Sequence, residues 1–309
     1  MENLPSQNIK EITNECVDFI RTRTEELGAK GIIVSLSGGI DSATTLYLCK
    51  DALGPKKVYA LLMPCHIWSD EDPSDEDSLI TLESETEDGL LTARTAGVGY
   101  SLIDISNEVS QYIDKFSFGR ENSVLKKKAD GFLVQRARCI IQNYYADQIE
   151  YITAGTDNYT EWAYGFVQGT GFATIYPTGA MFKSVLFDVA KHLGVPDKII
   201  KKAPHSGFVG DSTDEKIYGA TIRQLDDLYY MYMWHEKSPK EMSEITKLPL
   251  AKVKDLIKNI KIGHKLSGYD PSWPQLEIHS QFPHLEEILG GPFKPYRSEF
   301  KEALGQIHS

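Results

Sequence analysis

The chain has 309 residues and a mass of 34.7 kDa, with 41% hydrophobic, 10% aromatic and 25% charged residues, which is ordinary globular usage and excludes disordered, collagen-like and low-complexity classes. Its 33 Lys and Arg against 44 Asp and Glu leave a net charge of −11, the wrong sign for holding a phosphate backbone, so nucleic acid is not an expected partner. No apolar run reaches the roughly 18 residues of a membrane span, and Met1 leads into polar Glu2, Asn3, Ser6 and Gln7 instead of a basic then apolar leader. The expectation is a cytoplasmic protein with no membrane partner. Cys16, Cys49, Cys65 and Cys139 form no C-x-x-C pair, which argues against a zinc site or a redox dithiol and fits small apolar residues in a reducing compartment.

Along the chain, Ile9, Ile12, Cys16 and Ile20 share one helical face over 8–28, with Gly28 as the stop. Gly31 to Leu36 is a short apolar run with the signature of a buried strand, and after Ser37-Gly38-Gly39 a helix is expected over 41–51. Strands are expected again at 58–63, 100–105 and 151–154, with helices between them, so the fold class is α/β: a doubly wound parallel sheet flanked by helices. Between Cys65 and Ala93 there is no Lys or Arg, while acids crowd positions such as 70–72, 75–77, 83, 85, 87 and 88; this stretch reads as a solvated surface loop. From about 178 helices dominate, at 183–194, 221–235, 239–246 and 249–262. Residues 1–265 read as one domain with a helical C-terminal part, and 266–309, rich in Pro, Gly and aromatics, as an extension wrapping the surface.

The segment that carries chemistry is Ser37-Gly38-Gly39-Ile40-Asp41-Ser42, set between a strand and a helix. Two glycines let backbone N–H groups approach an anion, and the helix directs its positive end at the same point, so the turn suits phosphate; a strand-to-helix turn capped by Asp or Ser is the plainer reading. No Lys follows the glycines, so this is not the ATPase P-loop, and Asp41 among anion-binding groups suggests that Mg²⁺ mediates part of the contact.

SGGIDS after an apolar strand resembles the pyrophosphate loop of the adenosine-nucleotide α-hydrolases. Arg136, Arg138, the Gly155-Thr156-Asp157-Asn158-Tyr159-Thr160-Glu161 segment, Pro177, Lys183, Gly194-Val195-Pro196, Thr213-Asp214-Glu215, Gly219 and Asp226 then follow in the order and approximate spacing of NAD synthetase, from about residue 10 to about 265. The resemblance implies an ammonia-dependent carbon–nitrogen ligase. The carboxylate of deamido-NAD attacks the α-phosphate of ATP, and ammonia converts the acyl-adenylate to the amide, giving NAD, AMP and pyrophosphate. It further implies that Ser37, Gly38, Gly39, Asp41, Ser42, Arg138, Thr156, Lys183 and Ser206 bind ATP, and that Asp41 and Glu161 ligate Mg²⁺. Asp41, Glu161 and Lys183 carry the chemistry, and Arg136, Asn158, His264 and Lys265 face deamido-NAD. Homodimerisation is implied as well. A glutamine-hydrolysing route needs a further nitrilase-like domain with a catalytic Cys, for which 309 residues leave no room, so free ammonia or a separate partner supplies nitrogen.

The pattern departs from the family in one region. Gly169-Thr170-Gly171 stands where many members read GDG, Thr174 and Ala180 replace two further acids, Asn143 replaces a Tyr, Pro204-His205 replaces Pro-Ser, and Leu266 replaces the Arg after His264-Lys265. The replaced acids are expected near the acyl substrate, which keeps open a ligase of the same superfamily acting on a different carboxylate. A regulatory nucleotide-binding module would be expected to lose Asp41, Glu161 or Lys183, which are all present. Two segments, 65–90 and 203–216, are expected to close over the site as lids.

Overall fold

The computed structural model describes residues 8–67, 76–116, 124–164, 173–202 and 214–266. The opening helix α1 (Ile9–Glu26), capped by the Asn8 side chain, leads into β1 (Gly31–Ser35), the Ser37–Gly39 turn and α2 (Ile40–Leu53). There follow β2 (Val58–Leu62), α3 (Glu76–Ala96), β3 (Gly99–Leu102), α4 (Ser106–Phe116), α5 (Val124–Ile149), β4 (Tyr151–Ala154) and α6 (Tyr159–Tyr164). The rest is helical: α7 (Lys183–Leu193), α8 (Asp197–Lys201), α9 (Asp214–Tyr218), α10 (Ile222–Trp234), α11 (Pro239–Thr246) and α12 (Leu250–Leu266).

All four strands are parallel, in the order β3-β2-β1-β4. Side chains alternate across the sheet, and both faces are covered. Ile32 and Val34 of β1 and Val58, Ala60 and Leu62 of β2 join the larger core with α1, α2, α7, α10 and α12. Ile33 and Leu61 point the other way, into a second core with Val109 of α4 and Val134 and Ala146 of α5. The chain therefore runs outward from β1 to β3 with α2 on one face, then returns past β1 to β4 with α4 and α5 on the other. This reversal opens a crevice at the carboxyl ends of β1 and β4, the usual place for a ligand in such a sheet.

Two expectations need correction. Of Tyr100 to Ile105 only the part up to Leu102 is strand, and it lies at the sheet edge: β3 leaves Tyr100 and Leu102 exposed, and beyond it the Ile103 and Ile105 N–H groups donate to the carbonyls of Leu62 and Pro64. The acidic stretch is not a loop over most of its length, because α3 occupies 76–96 and sends Ala93 and Ala96 into the core. Asp88, read as part of a solvated charge run, is 1% exposed and held by Lys198 at 2.6 Å and Lys202 at 3.0 Å from the α8 region. Those lysines lie far along the sequence, so the local pattern of like charges misses the compensation. Asp88→Asn is expected to lower stability by about 2 kcal/mol in urea melts, the scale of a charged hydrogen bond; a shift below about 0.5 kcal/mol, within surface-mutation scatter, would show that the clamp contributes nothing.

The single helix expected at 221–235 stands as α10, and the acids ahead of it form a separate turn of helix, α9, which ends at Gly219 with φ +61°. Thr221 and Gln224 close a capping box, and Glu215 also accepts from the Ile222 N–H at 3.0 Å. The expected extension over 266–309 lies outside the described residues apart from Leu266 at the end of α12, as do residues 68–75 and 203–213 of the two expected lids.

Candidate active site

The turn after β1 is built by its own side chains. Ser42 Oγ accepts from the Ser37 N–H at 3.2 Å and donates to the Gly39 carbonyl at 3.0 Å, while Ser37 Oγ accepts from the Gly39 N–H at 3.3 Å. Gly38 takes φ +81°, and a Cβ there would lie 2.2 Å from the Glu85 carbonyl oxygen of α3, so both conformation and space demand glycine. Gly39 is the N-cap of α2 and supplies no side-chain cap, which leaves the start of that helix open to an anion. The capped-turn reading is thus not what the turn does.

Beside it lies an open cleft, floored by the ends of β1 and β4 and walled by α5. Gln142 of α5 holds the floor: its amide donates to the carbonyls of Ile33 and Ala154, and its oxygen accepts from Ser35 Oγ at 2.9 Å. Arg138 and Thr156 both line the cleft, with Arg138 Nε fixed on the Met63 carbonyl at 3.0 Å. The 173–176 segment extends the sheet through a parallel bridge between Ile175 and Ala154, and Tyr176 packs its ring where a Cβ on Gly155 would sit.

At the mouth of α2 the charged residues converge. Lys183, 4% exposed, places its amine 3.3 Å from Asp41 and 3.5 Å from Glu161. Asn158 is fully buried between the two acids; its amide donates to Asp41 at 2.8 Å, its side-chain oxygen accepts from the Glu161 N–H, and its own N–H donates back to the Glu161 carboxylate. Asn158, expected at the dinucleotide, is thus tied to both carboxylates and sets their spacing. Asp157 was given no role by the sequence; it lines the cleft, and burial together with the Asp41 charge raises its carboxyl to about 7. Glu161 is raised too, by burial first and by repulsion from Asp41, with Lys183 acting in the opposite sense; its side chain keeps 26% of its surface open, which tempers the burial contribution.

Such a set can take a hard divalent cation. Among the described residues no three His, Cys, Asp or Glu gather as a metal cluster, and Asp41 with Glu161 offers two carboxylates near the Ser37–Gly39 turn. That donor set suits Mg²⁺, which is commonly held by one or two carboxylates, water and substrate phosphates instead of a protein cage.

Behind this array sits Asp226 of α10, fully buried, accepting from Thr160 Oγ at 2.6 Å and from the Ser184 N–H at 2.9 Å. Burial lifts its carboxyl from 3.8 to about 6 despite those hydrogen bonds. A folded value above the unfolded one means that this group's contribution to stability is present below about pH 4 and lost as pH rises through 6. In urea melts taken from pH 4 to 7, the wild type is therefore expected to lose stability relative to Asp226→Asn; parallel profiles would contradict it.

Other expected residues lie elsewhere. Arg136 is exposed on α5, its guanidinium 5.6 Å from the Phe132 ring and outside the cleft. His264 and Lys265 fall in the last turn of α12, with side chains outside the described set, and Ser206 and Thr170 are outside the described residues altogether. Thr174 commits its hydroxyl and N–H to Thr153, whose hydroxyl also donates to Asn143, and Ala180 is 3% exposed within the larger core. Neither position lines the open cleft.

The model of the NAD synthase family matches residues 12–267. The chain belongs to the NAD synthase family. It is 34% identical over 261 residues to the NH(3)-dependent NAD(+) synthetase of Methanocaldococcus jannaschii, covering 82% of this chain and 93% of that protein. It is 33% identical over 223 residues to the corresponding enzyme of Archaeoglobus fulgidus, covering 72% of this chain and 83% of that one. Among solved structures, the NMN synthetase of Francisella tularensis superposes with a TM-score of 0.65 at 25% identity, over 84% of this chain and 94% of that chain. The NH3-dependent NAD synthetase of Campylobacter jejuni gives 0.63 at 24% identity, over 85% and 97%, and speaks for the NAD synthase fold alone. Family membership makes the α/β reading and the carbon–nitrogen ligase class the right frame for the site, with ATP as co-substrate.

Proposed function

We propose that this chain amidates deamido-NAD with ammonia at the expense of ATP, giving NAD, AMP and pyrophosphate. The observation that carries the reading is the placement of the Asp41–Asn158–Glu161 array and the buried Lys183 amine at the open start of α2, beside the cleft. In this reading the Ser37–Gly39 turn and the α2 N-terminus hold the β- and γ-phosphates, and the cleft between β1, β4 and α5 takes the adenosine. Asp41 and Glu161 hold Mg²⁺, whose chemistry when bound is to neutralise phosphate charge and orient the oxygens for in-line displacement. Lys183 stabilises the charge that develops on the α-phosphate as the carboxylate attacks, and the protein lends alignment and electrostatics in place of a covalent nucleophile. The acyl-adenylate then meets ammonia, with AMP as the leaving group.

Two further parts belong to the proposal. A second copy of the chain packs on α5, where Ile140 and Tyr144, one turn apart, are 66% and 65% exposed. The enzyme works in the cytoplasm, in keeping with four cysteines that form no disulfide with one another.

A second reading keeps the chemistry and changes the acid: the Francisella neighbour is an NMN synthetase, which points to the mononucleotide carboxylate as the alternative substrate. One assay separates them. With ATP, Mg²⁺, ammonium and either deamido-NAD or its mononucleotide, equal amounts of AMP and NAD are expected from the dinucleotide, and Asp41→Ala and Glu161→Ala should abolish both. AMP and amide formed only from the mononucleotide would move the assignment to the second reading.

A further inference from the structure

We infer that Asp226, a residue of α10 outside the cleft, is a positioning residue that sets Glu161 and Lys183 in register for the adenylyl transfer proposed above. The inference rests on that functional reading and on a hydrogen-bond relay the reading does not use. Helix α7 begins at Lys183 with Phe182 as its N-cap, a residue that offers no side-chain acceptor. The first two N–H groups of α7 are satisfied from elsewhere: Lys183 N–H donates to Thr160 Oγ at 2.9 Å, and Ser184 N–H donates to Asp226 at 2.9 Å. Thr160 in turn donates its hydroxyl proton to the other oxygen of Asp226 at 2.6 Å. Each tie lands beside a reacting-site residue, since Thr160 precedes Glu161 in α6 and Ser184 follows Lys183 in α7. One fully buried carboxylate thus fixes two helix termini, and with them the acid and the amine that face each other at 3.5 Å.

The chemistry of the group matters. A carboxylate accepts from two donors at once, whereas an amide of the same shape has one acceptor oxygen and turns an N–H₂ toward the second donor. With little change in volume, Asp226→Asn keeps one acceptor oxygen: if it stays on the Ser184 N–H, the amide N–H₂ meets Thr160 Oγ, that bond reverses and the Thr160 proton loses its acceptor. Misplacement of aligned groups by about 1 Å costs on the order of 100-fold in rate, and residues that orient the groups in direct contact typically contribute about 10- to 100-fold.

The test uses the full-length protein with ATP, Mg²⁺, ammonium and deamido-NAD, well below the melting temperature of each variant. Asp226→Asn and Thr160→Val are expected to lower kcat by about 10- to 100-fold with KM for ATP within about 3-fold of wild type. Thr160→Ser, which keeps the hydroxyl, should return most of the rate. The double variant should be no slower than Asp226→Asn alone, because the two residues act as one unit. Variants that fold and match the wild-type kcat, or losses that multiply in the double variant, would overturn the inference while leaving the function intact. If Asp226→Asn does not fold, the Thr160→Val and Thr160→Ser pair decides the matter by the same rate difference. A wild type that amidates neither the dinucleotide nor the mononucleotide overturns the functional reading, and the inference falls with it.

Discussion

Lys183→Met is expected to lower AMP formation by about 1,000-fold, the upper range for removing one preorganised charge from a site where charge develops. The amine is 4% exposed and stands within 3.5 Å of both Asp41 and Glu161, so its loss leaves the two carboxylates without the cation that lies between them. Breaking a buried ion pair costs about 3 kcal/mol or more, and the lower figure applies here because Asp41 and Glu161 keep 21% and 26% of their side-chain surface exposed. A thermal melt and steady-state AMP release measured on one preparation separate the two losses. Lys183→Arg restores the charge with a planar, longer head group; it should recover most of the stability and leave the rate at least about 10-fold down, since position as well as charge is required. A Met variant that retains more than a tenth of wild-type turnover would remove Lys183 from the chemistry.

The two glycines of the turn should behave differently. Gly38→Ala places a Cβ 2.2 Å from the Glu85 carbonyl oxygen at φ +81°, so α3 must shift and the backbone carries about 1–2 kcal/mol of left-handed strain. Both melting temperature and activity are expected to fall, the latter by about 100-fold as the phosphate-binding N–H groups are displaced. At Gly39 φ is −91°, and the added carbon meets nothing nearer than Ser37 Oγ at 3.4 Å, so Gly39→Ala should keep stability within about 1 kcal/mol. Its methyl group would stand at the open start of α2, and the loss should appear in ATP affinity. Identical behaviour of the two variants in melt and in ATP titration would contradict this account of the turn.

What the sequence made legible follows the range of the forces involved. The β1–turn–α2 unit rests on an apolar run, two glycines and a resumed helical period within about 25 residues, and its boundaries agree with the reading to within a residue or two. The helices α7, α10, α11 and α12 were equally local. Charge density misled at α3, because the partners of Asp88 come from residues 198 and 202. The edge position of β3 depends on strand order, which no single run of residues encodes. At the site, Asp41, Glu161 and Lys183 stood out by residue type and by resemblance, while Asn158 and Asp226 gained their meaning only from what they touch. Asp226 was visible as a polar residue amid the apolar period of α10, flanked by Leu225 and Leu228 that are fully buried. That misfit and its place in the family order were the signals available, and neither said which donors it would meet.

The hydrogen bonds to Asp226 also bear on the order in which the chain matures. Thr160 and Asp226 are separated by 66 residues, and Ser184 and Asp226 by 42, so these contacts close loops far longer than the strand-turn-helix unit near residue 38. During synthesis from the N-terminus, the sheet and the phosphate turn emerge well before α10 does. A folding intermediate with an assembled nucleotide turn but an undocked α10 would retain ATP while lacking a fixed acid and amine. Binding and turnover should thus be regained at different times on refolding, with nucleotide retention leading.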